Sequence, residues 1–177
     1  MPRSEIDLNP LQHITVDAIG QPGMRVFYIQ GWRETDPQPV TIIIEKVQLQ
    51  SLALGVDQML AELAKQKPEL AVPAAQVDPD KMRITPPLDP LFRAGEMGLG
   101  YDADHDMLVI MVREVVMEGE DPQEASEVRF WCTRSQVRLL ADWARQVINR
   151  GRPICPQCGQ PMEPKGHFCP KKNGHKH

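Results

Sequence analysis

The chain has 177 residues, of which 41% are apolar and 5% aromatic, and a formal net charge of −4. This length fits one ordinary domain with an appendage, its core must be packed mainly from aliphatic side chains, and the charge argues against binding nucleic acid through the surface as a whole. No apolar run approaches the roughly 20 residues needed to cross a bilayer, and residues 1–7 contain no apolar signal core, so a cytoplasmic protein with no membrane contact is expected.

Residues 6–20 read as a first strand centred on His13–Ile19 and closed by the turn signal Gln21-Pro22-Gly23. Met24–Gln30 is rich in β-branched and aromatic residues and reads as a second strand, Glu34–Pro39 as a loop, and Val40–Lys46 as a third strand apolar enough to be central. Together they suggest an antiparallel meander. Leu49, Leu52, Ala53, Val56, Leu60, Leu63 and Ala64 then recur at three- and four-residue steps, the buried stripe of a helix that Pro68 ends. Gly55 inside it costs up to ~1 kcal/mol relative to Ala unless packing compensates.

Residues 68–90 hold six prolines and predict an extended surface crossing. The pattern then repeats. Leu91–Tyr101 is a glycine-thinned strand, Asp102–Asp106 its turn, Met107–Val116 a strongly apolar strand, Glu118–Glu124 an acidic loop and Glu127–Cys132 another strand. Thr133 and Gln136 form a capping box that opens a second helix, with Val137, Leu140, Ala141, Ala144, Val147 and Ile148 as its stripe and Gly151 as its C-cap signal. Strand–strand–strand–helix therefore occurs twice, over 6–67 and 91–151. The two junctions can be overlaid with Gln50 on Gln136, Leu54 on Leu140 and Leu60 near Gln146, which makes duplication a hypothesis. The expected class is α+β: one antiparallel sheet, or two facing sheets, with a helix from each half, forming a body over 1–151 and a tail over 152–177.

The tail carries the most specific chemistry. Cys155-Pro-Gln-Cys158-Gly159 is followed by Gly166-His167-Phe168-Cys169-Pro170 and by Asn173-Gly174-His175. A Cys-x-x-Cys turn sends both sulfurs to one side, and Zn²⁺ takes four such ligands tetrahedrally, as thiolate sulfur or neutral imidazole nitrogen. Cys155, Cys158 and Cys169 supply three. His167, two residues before Cys169, shares a face with it on an extended strand, and His175 is the alternative fourth ligand. Three thiolates and one imidazole fill the shell, as in structural zinc sites. A redox pair would be expected at a helix start, which is not the pattern here, and a disulfide suits an oxidising compartment. From residue 145 onward seven basic residues face Glu163 alone, a net of +6 that leaves −10 for residues 1–144. Such a tail could touch nucleic acid or an acidic protein face, or simply dock on its own body.

Other candidates are weaker. Asp102, Asp104 and Asp106 alternate as calcium ligands do, but Met107 and Arg113 occupy positions where an EF-hand needs Gly and Glu. His105 is a possible general base, and Cys132, just before a helix start, a possible nucleophile. Arg25, Arg33, Arg93, Arg113 and Arg129 lie in or beside strands and could bind phosphate, or could be the solvated side of a sheet. There is no glycine-rich phosphate loop, nucleophile elbow or His-Glu-x-x-His.

The tail C-P-Q-C-G-Q-P-M-E-P-K-G-H-F-C-P-K-K-N-G, together with F-W-C-T-R-S-Q-V-R-L-L-A before it, resembles a bacterial family of conserved proteins of unknown function, over nearly the whole chain. In that family the positions of Cys155, Cys158, His167 and Cys169 form the evident motif, which favours His167 over His175. The family's genes tend to lie beside those for a histidine-phosphatase-like and a phosphoinositide-kinase-like protein, which implies a partner or a phosphate-linked pathway but no mechanism. The expected function is a zinc-stabilised binding or adaptor protein with a protein partner. The alternatives are an enzyme acting on a phosphorylated small molecule and a nucleic-acid binder working through the tail.

Overall fold

A computed structural model describes residues 3–151, 155–160, 162 and 167–171. The elements in chain order are β1 (Glu5–Leu8), β2 (His13–Ile19), β3 (Val26–Arg33), β4 (Asp36–Ile44), α1 (Lys46–Gln66), β5 (Ala94–Asp102), β6 (Met107–Glu114), β7 (Glu127–Cys132) and α2 (Arg134–Asn149). The class is α+β, with four strands and a helix before the proline-rich bridge and three strands and a helix after it.

The strands form two sheets, β2-β3-β4 and β1-β7-β6-β5. The expected first strand over 6–20 is divided. Pro10 has no N–H to continue a ladder, and the two pieces on either side of it join different sheets. β2 pairs antiparallel with β3, whereas β1 pairs parallel with β7, so the larger sheet is mixed rather than antiparallel. The inward faces of both sheets and the apolar stripes of both helices share one core, with Val16, Ile29, Ile42, Ile110, Val112, Phe130, Leu49, Leu60, Val137 and Leu140 essentially inaccessible. The sheets meet at Gly31, where a Cβ would lie 3.1 Å from both the His13 carbonyl and the Phe130 ring, so a side chain there would force a shift of a few tenths of an ångström.

The two halves share several strand pairings. Ile29 faces Ile42 across β3–β4 as Ile110 faces Phe130 across β6–β7, and Val16 faces Ile29 as Leu99 faces Ile110. Each helix opens with a glutamine doing the same three jobs. Gln48 Oε1 accepts from the Glu45 N–H at 2.7 Å while its Nε2 donates to the Ala94 and Gly95 carbonyls. Gln136 Oε1 accepts from the Thr133 N–H at 2.8 Å while its Nε2 donates to the Leu11 and Gln12 carbonyls. Gln48 therefore reaches the start of β5, and Gln136 reaches the link between β1 and β2. The structural partner of Gln136 is Gln48, which corrects the overlay on Gln50 by two residues. The parallel pairing has its counterpart too: Leu91–Arg93 runs beside β4, with Leu91 N–H to the Thr41 carbonyl and Ile43 N–H to the Phe92 carbonyl.

The proline-rich bridge is less superficial than expected. The other face of the smaller sheet carries a buried polar row, Thr15, Gln30 and Thr41. Gln30 Nε2 donates to Thr41 Oγ1 at 3.0 Å and to the Thr85 carbonyl at 3.1 Å, and the Thr85 N–H returns 2.8 Å to Gln30 Oε1. Thr15 Oγ1 donates to the carbonyl of Met82, whose side chain is buried. Prolines remove ladder donors from this segment, so side chains of the sheet hold it instead of strand pairing.

Candidate metal centre

The chain leaves α2 through Gly151, at φ +79°, a left-handed value that suits the residue after a helix C-cap. Cys155, Cys158, His167 and Cys169 then come together, one donor atom from each lying within 4.8 Å of all the others. The Cys-x-x-Cys turn is closed by Gly159 N–H to the Cys155 carbonyl and Cys155 N–H to the Gln160 carbonyl, both 2.8 Å, with Gly159 at φ +72°. Cys155 Sγ and Cys169 Sγ are 3.8 Å apart, and Cys158 Sγ lies 3.2 Å from His167 Nε2. A tetrahedron with Zn–S bonds of ~2.3 Å has an S···S edge of ~3.8 Å. The backbone N–H groups of Cys158 and then Gln157 point at Cys155 and lower its thiol pKa to about 6, which favours the thiolate a metal needs. The Cys158 thiol is raised: the Gln160 N–H pulls it down, but burial and the neighbouring sulfurs outweigh that pull. Cys155 and Cys169 are buried and His167 half-buried, so the donors face one another rather than solvent. These four residues could hold a metal ion. His175 lies outside the described residues.

A family model for proteins of unknown function, DUF3090, matches residues 6–169, spanning the body and all four donors. The chain belongs to the DUF3090 family. No curated protein and no solved structure gives a significant match.

Among the described residues of this DUF3090 protein, the tail cluster is the one place where three or more Cys, His, Asp or Glu donors converge. The aspartates of the β5–β6 turn are engaged otherwise. Asp106 is held by Arg134 at 2.9–3.2 Å and by the Tyr101 hydroxyl at 2.9 Å, and Asp102 accepts from the Asp104 N–H and meets His105 Nδ1 at 2.7 Å. His105 therefore has a carboxylate partner, but it lies on an exposed hairpin tip. The expectation that a helix start would activate Cys132 gives way to burial: the thiol is fully enclosed in the core and its pKa is pushed far up.

The five arginines do not share one sheet face. Arg33 pairs with Asp36, Arg113 donates to the Pro122 carbonyl, and Arg129 pairs with Glu127 and Asp7. Arg25 and Arg93 do meet. They line a cleft of about 490 Å³ at the start of α1, together with Lys46 from the helix and Met162 from the tail. Neither Lys46 nor Met162 stands out in the sequence, because the cleft is assembled from five separate segments. The available signal is the basic residue directly after the strand-to-helix junction.

No helix of the described residues is long and apolar enough to cross a membrane.

Proposed function

We propose that Cys155, Cys158, His167 and Cys169 bind one structural zinc ion, and that the protein is a cytoplasmic binding or adaptor protein whose tail that ion clips into shape. The observation that carries this reading is the mutual approach of four donors within 4.8 Å. Three thiolates and an imidazole complete a tetrahedral shell, which suits zinc and leaves no position for a reacting water. Thiolate ligation needs reduced cysteines, hence a reducing compartment. The binding role, in preference to catalysis, is supported by the burial of Cys132, the exposure of His105 and the absence of both from the lining of the cleft holding Arg25 and Arg93. The contact is proposed to be with a protein. Nucleic-acid binding through the basic tail is the alternative, and most of the basic residues that would carry it lie outside the described residues.

Elemental analysis of protein purified without added metal tests the site. About one zinc per chain is expected, and almost none after Cys158→Ser. Cobalt substitution should give the absorption of a four-coordinate thiolate-rich centre. A metal-free wild-type protein that takes up no zinc, or a cobalt spectrum showing bound solvent, would reject the structural site. Capture on immobilised protein, with and without residues 152–177, then separates a protein partner from salt-sensitive nucleic-acid binding.

A further inference from the structure

The two helices differ at one position that decides how each meets its neighbouring strand. Trp143 follows Gln136, and Gly55 follows Gln48, by the same seven residues. Trp143 is 3% exposed, and its indole Nε1 donates to the Val16 carbonyl of β2 at 2.6 Å. β2 is the outer strand of its sheet, so this ring closes the seam between α2 and an open sheet edge. β5 is likewise the outer strand of its sheet. Leu99 holds in β5 the place that Val16 holds in β2, each opposite an isoleucine of the next strand, Ile110 and Ile29. Gly55 lies beside Leu99 and leaves the seam open: an added Cβ would meet only Leu99 Cδ2, at 3.8 Å.

Strand register fixes the direction of the Leu99 peptide groups. Successive residues of an antiparallel strand turn their N–H and C=O alternately to one side and the other. Glu127 and Trp131 bond toward the β1 side, through Glu127 N–H to the Ser4 carbonyl and Leu11 N–H to the Trp131 carbonyl. Phe130 therefore bonds to Ile110, and Ile110 turns away from Leu99. The Leu99 N–H and C=O point to the open edge of β5, as the Val16 carbonyl does on β2, and no described residue bonds to them. Along this edge runs a cleft of about 240 Å³, lined by Leu52 and Gly55 of α1 and by Met97, Gly98 and Leu99 of β5. It is smaller than the clefts that hold drug-sized ligands, which suits a single fused ring. The strands record the difference in packing. Ile14 and Val16 are buried beside α2, whereas Met97 and Leu99 stay partly exposed beside α1.

We propose that this cleft binds a small heteroaromatic molecule of the indole class, its ring between α1 and β5 beside Gly55 and its N–H on the Leu99 carbonyl, as the Trp143 ring sits against β2. Burial of the ring against Leu52, Met97 and Leu99 supplies affinity, and the one open acceptor supplies orientation. The ring comes from a separate molecule, since no aromatic side chain is among the residues that line the cleft. The proposal does not depend on the zinc reading, because every lining residue belongs to the body.

Titration of the full chain with indole, 1-methylindole and 3-methylindole, followed by amide chemical shifts, tests it. Indole should bind with shifts centred on Gly55, Gly98 and Leu99. The two methylindoles match in size and differ in the N–H, so 1-methylindole should bind at least about fivefold more weakly than 3-methylindole, the effect of one net hydrogen bond. Gly55→Trp supplies the ring from within: its indole N–H should be protected from hydrogen exchange, and added indole should no longer bind. The wild-type comparison of the two methylindoles stands even if that variant misfolds. Absence of indole binding, equal binding of the methylindoles, shifts centred elsewhere, or undiminished indole binding by a folded Gly55→Trp protein would each overturn the assignment.

Discussion

Replacing Gln136 by Met keeps the length of the side chain and its apolar stem but removes both polar atoms. Three interactions are lost, the weakest being the 3.4 Å bond to the Gln12 carbonyl. The Thr133 N–H loses its 2.8 Å acceptor, and the Leu11 carbonyl loses its 3.0 Å donor. Thr133 is exposed and its amide can be rehydrated, whereas Leu11 is buried, so its carbonyl is the more costly loss. At about 1 kcal/mol per net hydrogen bond, and somewhat more for a group left dry, the variant should lose about 2 kcal/mol. For a chain of this size that is a fall in Tm of roughly 4–8 °C. Gln48→Met should cost about as much, because Gln48 makes the same set of bonds to Glu45, Ala94 and Gly95. Gln50→Met, on an exposed position of α1, should stay within about 0.5 kcal/mol of wild type. Urea melts of the three variants at neutral pH decide the matter. If Gln50→Met costs as much as Gln136→Met, or if both junction variants are neutral, the correspondence of the halves through these glutamines is wrong.

Gln30→Leu should cost about 2–3 kcal/mol in the same assay, because it strips hydrogen bonds from Thr85 and Thr41 inside the sheet–bridge interface; limited proteolysis should then open residues 77–90 first. Gly55→Ala should stabilise by up to ~1 kcal/mol, since the added Cβ meets only Leu99 Cδ2, at an ordinary 3.8 Å; a lower Tm would mean that the helix is packed more tightly there than the geometry indicates. Asp106 is held below its ordinary value of 3.8, chiefly by its hydrogen bonds from Arg134. A depressed carboxylate contributes stability that is full above the unfolded value and disappears as pH falls through the lower folded value. Wild type should therefore exceed Asp106→Asn by about 1 kcal/mol at pH 7, discounted for partial exposure, and the gap should narrow on acidification below pH 3.8. A gap that grows in acid would contradict the assignment. Removing metal with a chelator, or by Cys158→Ser, should leave the far-ultraviolet circular dichroism of the body unchanged, because the core is built from residues of both sheets and both helices and, among the described residues, none of the tail; global collapse would mean that the tail supports the core.

Much of the architecture was legible because local patterns and tertiary demands agree. The three- and four-residue spacing from Leu49 to Leu63 and from Val137 to Ile148 marks the helix faces that are buried. The Thr133–Gln136 box and Glu127–Cys132 were readable to the residue, since capping and alternation are settled by near neighbours. The grouping of Cys155, Cys158, His167 and Cys169 was readable for the same reason: the donors lie close in sequence, and a tight turn brings the first two together.

What sequence could not supply was any feature that joins distant segments. The same short strand pattern serves either side of Pro10, and only the partners available in space send β1 to β7 and β2 to β3. The prolines of residues 68–90 exclude ladder pairing, yet nothing local to them shows that Gln30 and Thr15 would hold the bridge. Arg25, Lys46 and Arg93 are three ordinary basic residues until strand register and helix placement set them around one cleft. Periodicity and spacing reach only a few residues along the chain, while a cleft is defined by which surfaces the folded core leaves facing each other.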